Sequence, residues 1–157
     1  MLSDLNRRIN TLAQWMFEAK HLVVFTGAGI STESGLPDFR GPDGIWTRQA
    51  KGLPTKPRDF SSVEPNAGHL AIVQLQKLGK LSFFISQSCD LFIVAGSSLV
   101  VMPAADMPRV AVQSGARLVI INQGETPLDR VAHLRFGERT GEVLPPAVDR
   151  LRELIKA

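Results

Sequence analysis

Cysteine is almost absent: Cys89 is the only one in 157 residues. That excludes an intrachain disulfide and a cysteine-rich zinc site, and it fits a reducing compartment. Tyrosine is missing and tryptophan occurs twice, which leaves little from which to build a base-stacking platform. No apolar run approaches the roughly 20 residues that cross a bilayer. No long block of like charge occurs either. The Lys and Arg residues behind the net charge of +3 are scattered, as on a solvated surface rather than a nucleic-acid patch. Met1 to His21 mixes Asp4, Arg7, Arg8, Glu18 and Lys20 with apolar residues, unlike a secretory signal. The expectation is a cytoplasmic protein with no nucleic-acid or membrane partner. What is present, 44% hydrophobic and 21% charged residues, suits a single globular domain with one proper core.

Periodicity supplies the elements. Leu5, Ile9, Leu12, Trp15 or Met16, and Ala19 recur at helical spacing behind Ser3, a good N-cap. Leu22-Val23-Val24-Phe25 is a short unbroken apolar run, the mark of a strand buried on both faces. Residues 35 to 65 are dense in Gly and Pro and read as one long loop, a feature that is usually functional. A helix is expected over Asn66 to Leu78 with Gly79 as its stop. Strand-like runs follow at Leu81 to Ile85, Leu91 to Ala95 and Leu118 to Ile121. A helix is expected over Pro103 to Ser114, with Pro108 in its first turn, and a last one over Pro145 to Lys156. Strands alternating with helices predict a doubly wound, mainly parallel, Rossmann-like α/β sheet.

One link is too short. Only Ser86-Gln87-Ser88-Cys89-Asp90 separate the runs at 81–85 and 91–95. A parallel crossover takes a dozen or more residues, and five residues reach at most about 17 Å. The two runs are therefore not full, adjacent parallel strands. Either one is shortened or reversed, or a segment is missing here.

The turn after the first strand, Gly27-Ala28-Gly29, lets backbone approach a pyrophosphate and aim N–H groups at it. The usual dinucleotide spacing would place a third glycine at Thr32, so the glycines alone are a weak signal. The longer run Gly27-Ala28-Gly29-Ile30-Ser31-Thr32-Glu33-Ser34-Gly35-Leu36-Pro37-Asp38-Phe39-Arg40 is specific, and it closely resembles the sirtuin signature. Gly41 to Trp46, Glu64 to His69, Ala95 to Ala105, Ile121-Asn122 and Gly141 to Pro145 continue the resemblance in family order.

The resemblance implies the large NAD-binding domain of a sirtuin, a family of NAD-dependent protein-lysine deacetylases. These are transferases that consume NAD as co-substrate and give nicotinamide and O-acetyl-ADP-ribose. It implies that Gly27, Ala28, Gly29 and Ser31 cradle the diphosphate of NAD or ADP-ribose, and that Asp38, Phe39 and Arg40 line the nicotinamide side. Gly96, Ser97 and Ser98 would face phosphate or ribose, Asn122 and Gln123 the adenosine ribose, and Thr140 the adenine, with Gln87 a further cofactor-binding residue. Bland alternatives stand beside these: a loop salt bridge for Asp38 or Arg40, and helix caps for Ser97 and Ser98. His69 lies in a matched stretch but on a packed helix, and reads as structural; His21 and His133 read as structural or surface groups.

In the family, a strand ending Thr-Gln-Asn-x-Asp leads to a catalytic histidine that acts as general base. Here Ser86-Gln87 matches and the pattern then fails at Ser88. The histidine, the small domain with its zinc-binding Cys-x-x-Cys pairs, and part of the acyl-lysine groove have no counterpart. No catalytic residue or zinc site is therefore expected. The gap coincides with the link that is too short, marking 86–90 as a deletion junction. The expectation is one domain over 1–157 with at most weak NAD or ADP-ribose binding and no measurable deacylation; an acetyl-lysine protein substrate belongs only to the complete family member. The rivals are a non-catalytic nucleotide-binding or subunit-interaction module, such as a homo-oligomer, and a truncated product without function. A hydride-transferring dehydrogenase fits poorly, because Arg48 and Gln49 stand where an acidic ribose ligand belongs.

Overall fold

The computed structural model describes residues 3–55, 62–81 and 89–157. Among the described residues four parallel strands form one sheet in the order β1 (Leu22–Thr26), β2 (Leu91–Ala95), β3 (Arg117–Ile121) and β4 (Leu134–Phe136). β1 and β2 pair in full register, Leu22 against Leu91 through Thr26 against Ala95. Alternation along each strand serves the two faces. Leu91, Ile93, Ala95, Val119 and Ile121 pack with α1 (Asp4–Glu18), α3 (Ala67–Lys77) and α5 (Thr140–Lys156). Phe92, Val94, Leu118 and Ile120 pack on the opposite face with Ala111 of α4 (Met107–Gln113). Helices on both faces make the sheet doubly wound, and they explain why its strands read as unbroken apolar runs.

α1 begins at the expected cap: the Ser3 hydroxyl accepts from Asn6 N at 3.2 Å, a contact that contributes about 1 kcal/mol. Among the described residues no helix is long and apolar enough to cross a membrane. Four local expectations need correction. The stretch expected as loop contains α2 (Ile45–Ala50), which the surrounding Gly and Pro residues hide, and Ala28–Ser34 is a 3₁₀ helix. The expected helix from Pro103 splits into a 3₁₀ turn, Ala104–Asp106, and α4, with Pro108 in the first turn of α4. α5 starts at Thr140, not Pro145: Glu142 Oε2 accepts from Arg139 N at 2.9 Å and closes the turn upstream of both prolines. β4 has no counterpart among the expected strands, because three residues make no pattern.

Of the expected strand at 81–85, only Leu81 lies within the described residues. It bridges Leu22 in parallel. Leu22 also pairs with Leu91, and a strand has two edges, so Leu81 lies on the edge of β1 away from β2. The expected junction at 86–90 is described only at its end. There the Asp90 carboxylate accepts from Lys20 N at 2.8 Å and His21 N at 3.0 Å, while Asp90 O accepts from Arg117 N at 3.0 Å. Asp90 thus ties the entrances of β1, β2 and β3 together, and works as the start of β2.

Candidate functional site

The chain leaves β1, reaches its outer edge at Leu81 and returns to its inner edge as β2. Such a reversal opens a crevice beyond the carboxyl ends of the strands. The crevice walls are backbone in close contact. Gly27 N donates to Ala95 O at 3.0 Å and Gly29 N to Gly96 O at 2.8 Å. A Cβ on Gly29 would stand 2.6 Å from Gly96 O, and Gly96 itself adopts φ +67, a left-handed conformation in which its own Cβ would press on Ile30 N. The amides of Gly27 and Gly29, expected to point at a pyrophosphate, are instead spent on joining the two turns. Ala28, exposed between them, has no such backbone partner among the described residues.

The crevice is a cleft of about 690 Å³ that collects the ends of all four strands. Gly27, Ala28 and Gly29 follow β1; Gly96, Ser97 and Ser98 follow β2; Asn122 and Gln123 follow β3; Thr140 opens α5 after β4. Asp38, Phe39 and Arg40 close the remaining side. Two expected residues stand apart. Ser31 is not in the lining, and its hydroxyl lies 3.3 Å from His69 Nε2. Gln87 lies outside the described residues.

The Asp38–Arg40 wall is fixed from behind. Asp38 Oδ1 accepts from Gly41 N at 2.9 Å, and the carbonyls of Asp38 and Phe39 accept from Ile45 N and Trp46 N at 2.9 Å each. The Arg40 guanidinium stacks over the Trp46 ring at 4.2 Å. Neither Asp38 nor Arg40 forms an ion pair among the described residues, so the salt-bridge alternative does not apply to the resting site. Ser97 does serve its own turn, since its Oγ accepts from Leu99 N at 3.3 Å and supports a left-handed Leu99 at φ 52.

The adenosine-side loop is held by a polar network. Asn122 Nδ2 and Arg135 Nη2 both donate to Gly124 O, at 2.9 and 2.6 Å. Arg135 Nε pairs with Asp129 Oδ1 at 3.0 Å, and the Thr126 hydroxyl donates to the same oxygen at 2.6 Å. Partial burial pushes the Asp129 carboxyl up, but the Thr126 donors and Arg135 outweigh it, and the net direction is down. Glu138, also in the lining, is lowered chiefly by its hydrogen bond from Arg8 at 2.6 Å.

Sequence reasoning gave no role to Thr32, Glu33, Glu138 or Arg139, which also line the cleft. Glu33 sits inside the signature, and the signal is its reach: Oε2 accepts from Gly141 N at 2.9 Å, joining the 3₁₀ helix to the start of α5. Glu138 and Arg139 follow β4, and nothing in the sequence pattern marks them. None of the three histidines lines the cleft. His133 Nδ1 accepts from Leu118 N at 3.0 Å, a structural role, as expected for it. Among the described residues no group of His, Cys, Asp and Glu is placed to hold a metal.

A parallel sheet with a glycine-walled crevice at its switch point is the architecture on which many α/β proteins place a ligand site. Its relatives narrow the class. The Sir2 family model matches residues 27–64. The NAD-dependent protein deacetylase 1 of Bradyrhizobium diazoefficiens is 30% identical over 248 aligned positions, with 93% of this chain and 97% of the relative covered. The chain therefore belongs to the Sir2 family. The alignment is much longer than the 157-residue chain, so many positions of that relative have no counterpart here. The NAD-dependent protein deacetylase SRT1 of Oryza sativa is 53% identical over 88 residues, which is 55% of this chain but 18% of that protein. Against such relatives the chain spans only about a fifth of their length or less. Among solved structures, a Sir2 enzyme at 25% identity superposes with a TM-score of 0.79, covering 95% of this chain and 99% of the other. A Sir2 homologue in complex with NAD, at 23% identity and a TM-score of 0.75, shares the fold over 92% of this chain and 94% of its own.

Proposed function

We propose that this chain binds NAD, or its ADP-ribose part, in the cleft beyond the strand ends and does not deacylate lysine. The observation that carries the binding half is the convergence, in one cleft, of every expected contact residue except Ser31 and Gln87. In this reading the Ala28 amide and the Ser97 and Ser98 turn face the diphosphate. Asn122, held through Gly124 by Arg135, faces the adenosine ribose, and Arg40 on its Trp46 platform faces the nicotinamide end. A bound NAD would supply the activated sugar carbon from which nicotinamide leaves in the family reaction.

The second half of the proposal rests on proton chemistry. Abstracting a ribose proton requires a base within hydrogen-bond reach, and such a base contributes about 10²–10⁴ in rate. No histidine lines this cleft, and the alignment with the Bradyrhizobium relative leaves much of that enzyme without a counterpart. The internal junction at 86–90 accounts for both facts. A subunit-interaction module is the second reading. It is favoured by Val100, Val101 and Met102, which are 49–60% exposed after β2, the two valines at the cleft lining itself. The test is incubation with NAD and an acetyl-lysine peptide, following nicotinamide release and, in parallel, NAD retention by equilibrium dialysis. Retention without release is expected. Release at the rate of a complete family member would refute the catalytic part, and no retention by folded chain would refute the binding part.

A further inference from the structure

Resting on the cofactor-cleft reading, we infer that Glu138, set in place by Arg8, selects a free 2′-hydroxyl on the adenosine ribose and excludes a 2′-phosphate. The acidic ribose ligand that is missing at Arg48 and Gln49 is then supplied from the turn after β4. Backbone register brings it there. Ile121 pairs with Phe136, and Asn122 N donates to Phe136 O at 3.1 Å. The exits of β3 and β4 therefore run side by side. Glu138, two residues past that bond, lines the cleft together with Asn122 and Gln123.

Arg8 fixes the carboxylate. Its Nη2 donates to Glu138 Oε1 at 2.6 Å and its Nη1 to Oε2 at 3.1 Å. Its Nε donates to Asp4 Oδ2 at 2.8 Å, its Nη1 also to Arg135 O at 3.0 Å, and the guanidinium lies 4.9 Å from the Phe136 ring centre. A carboxylate has about four acceptor sites, so about two remain for ribose hydroxyls. The hydrogen bond from Arg8 also holds the Glu138 carboxyl below its ordinary range, and the charged form only accepts. A 2′-phosphate calls for an arginine, but two arginines of this region are already engaged. Arg8 serves Glu138, Asp4 and Arg135 O, while Arg135 serves Asp129, Phe136 O and Gly124 O. Arg139 is left: it lines the cleft and forms no ion pair among the described residues. Against it stand three carboxylates of the lining, Glu125, Glu138 and Glu33, the last bonded to Gly141 N beside Thr140. Even with Arg8 counted, negative charge prevails at this end and repels a phosphate there.

The test is equilibrium dialysis of the folded chain with ADP-ribose, its 2′-deoxy form and its 2′-phosphorylated form. ADP-ribose should bind about tenfold more tightly than either analogue, roughly the effect of one hydrogen bond to a charged group. Glu138→Gln keeps the size, removes the charge and should erase both preferences. Glu138→Asp keeps the charge and shortens the reach. It should lose the preference over the deoxy form and still exclude the phosphate. Equal binding of ADP-ribose and either analogue, or preferences that persist in Glu138→Gln, would overturn the inference while leaving the cofactor reading intact. Tighter binding of the phosphorylated form, lost in Arg139→Ala, would overturn it in favour of Arg139. No binding of any of the three by folded chain would overturn both the inference and the cofactor reading.

Discussion

The sheet and the segment that closes its carboxyl end are held by different forces. Ile93, Leu118, Ile120 and Ile121 are fully buried and pack on both faces. In Ala28–Ser34 only Ile30 is buried, and the holds are hydrogen bonds from Asn66, His69 and Gly141 together with the glycine contact to Gly96. Burial is non-directional and tolerant, whereas hydrogen bonds and backbone contacts are exacting. The molecule thus sets a rigid platform against a segment whose shape depends on a few atoms, with the cleft between them.

The comparison breaks first on the sheet side. Phe136→Ala removes a fully buried ring and should cost about 3–5 kcal/mol, much of the roughly 5–15 kcal/mol typical of a whole domain. Chemical denaturation reads this directly, and a loss below about 1 kcal/mol would deny the sheet its dominance. Gly96→Ala comes next. Its φ of +67 costs an alanine about 1–2 kcal/mol, and the new methyl presses on Ile30 N. ADP-ribose affinity should fall by more than tenfold while far-ultraviolet circular dichroism stays unchanged.

The smallest effect is a pH dependence at the opposite end of the sheet. Partial burial pushes the Asp90 carboxyl up, but the amides of Lys20 and His21 outweigh it, and the net shift is down. A folded pKa below the unfolded one means that the charged form stabilises the fold. That contribution is present above about pH 4, the ordinary aspartate range, and is lost as pH falls through the lower folded value. Asp90→Asn should therefore flatten the decline in stability as pH falls below about 4, measured by denaturation midpoints. An equally steep decline in the variant would remove Asp90 from the account.

The platform was legible in the sequence because burial on both faces leaves unbroken apolar runs. Three strands and the helices at Ser3 and Asn66 came from that signal and from their caps. β4 was not legible: Leu134, Arg135 and Phe136 are too few to show a period, and β3 pairing places them. α2 was hidden by glycines that serve contacts with Asp38. The cleft residues were readable from the long family signature, not from chemistry alone. The engagement of the Gly27 and Gly29 amides and the withdrawal of Ser31 to His69 could not be read, since both depend on the approach of elements far apart in the chain.

In the proposed function the Sir2-type crevice holds the ADP-ribose half of NAD. Isothermal titration of the folded, monodisperse protein with ADP-ribose tests it most directly. Saturable binding is expected, weakened by Asn122→Ala and weakened more than tenfold by Gly96→Ala. No heat at millimolar ADP-ribose from a chain shown to be folded would contradict it, and would leave the family resemblance as ancestry without a working site.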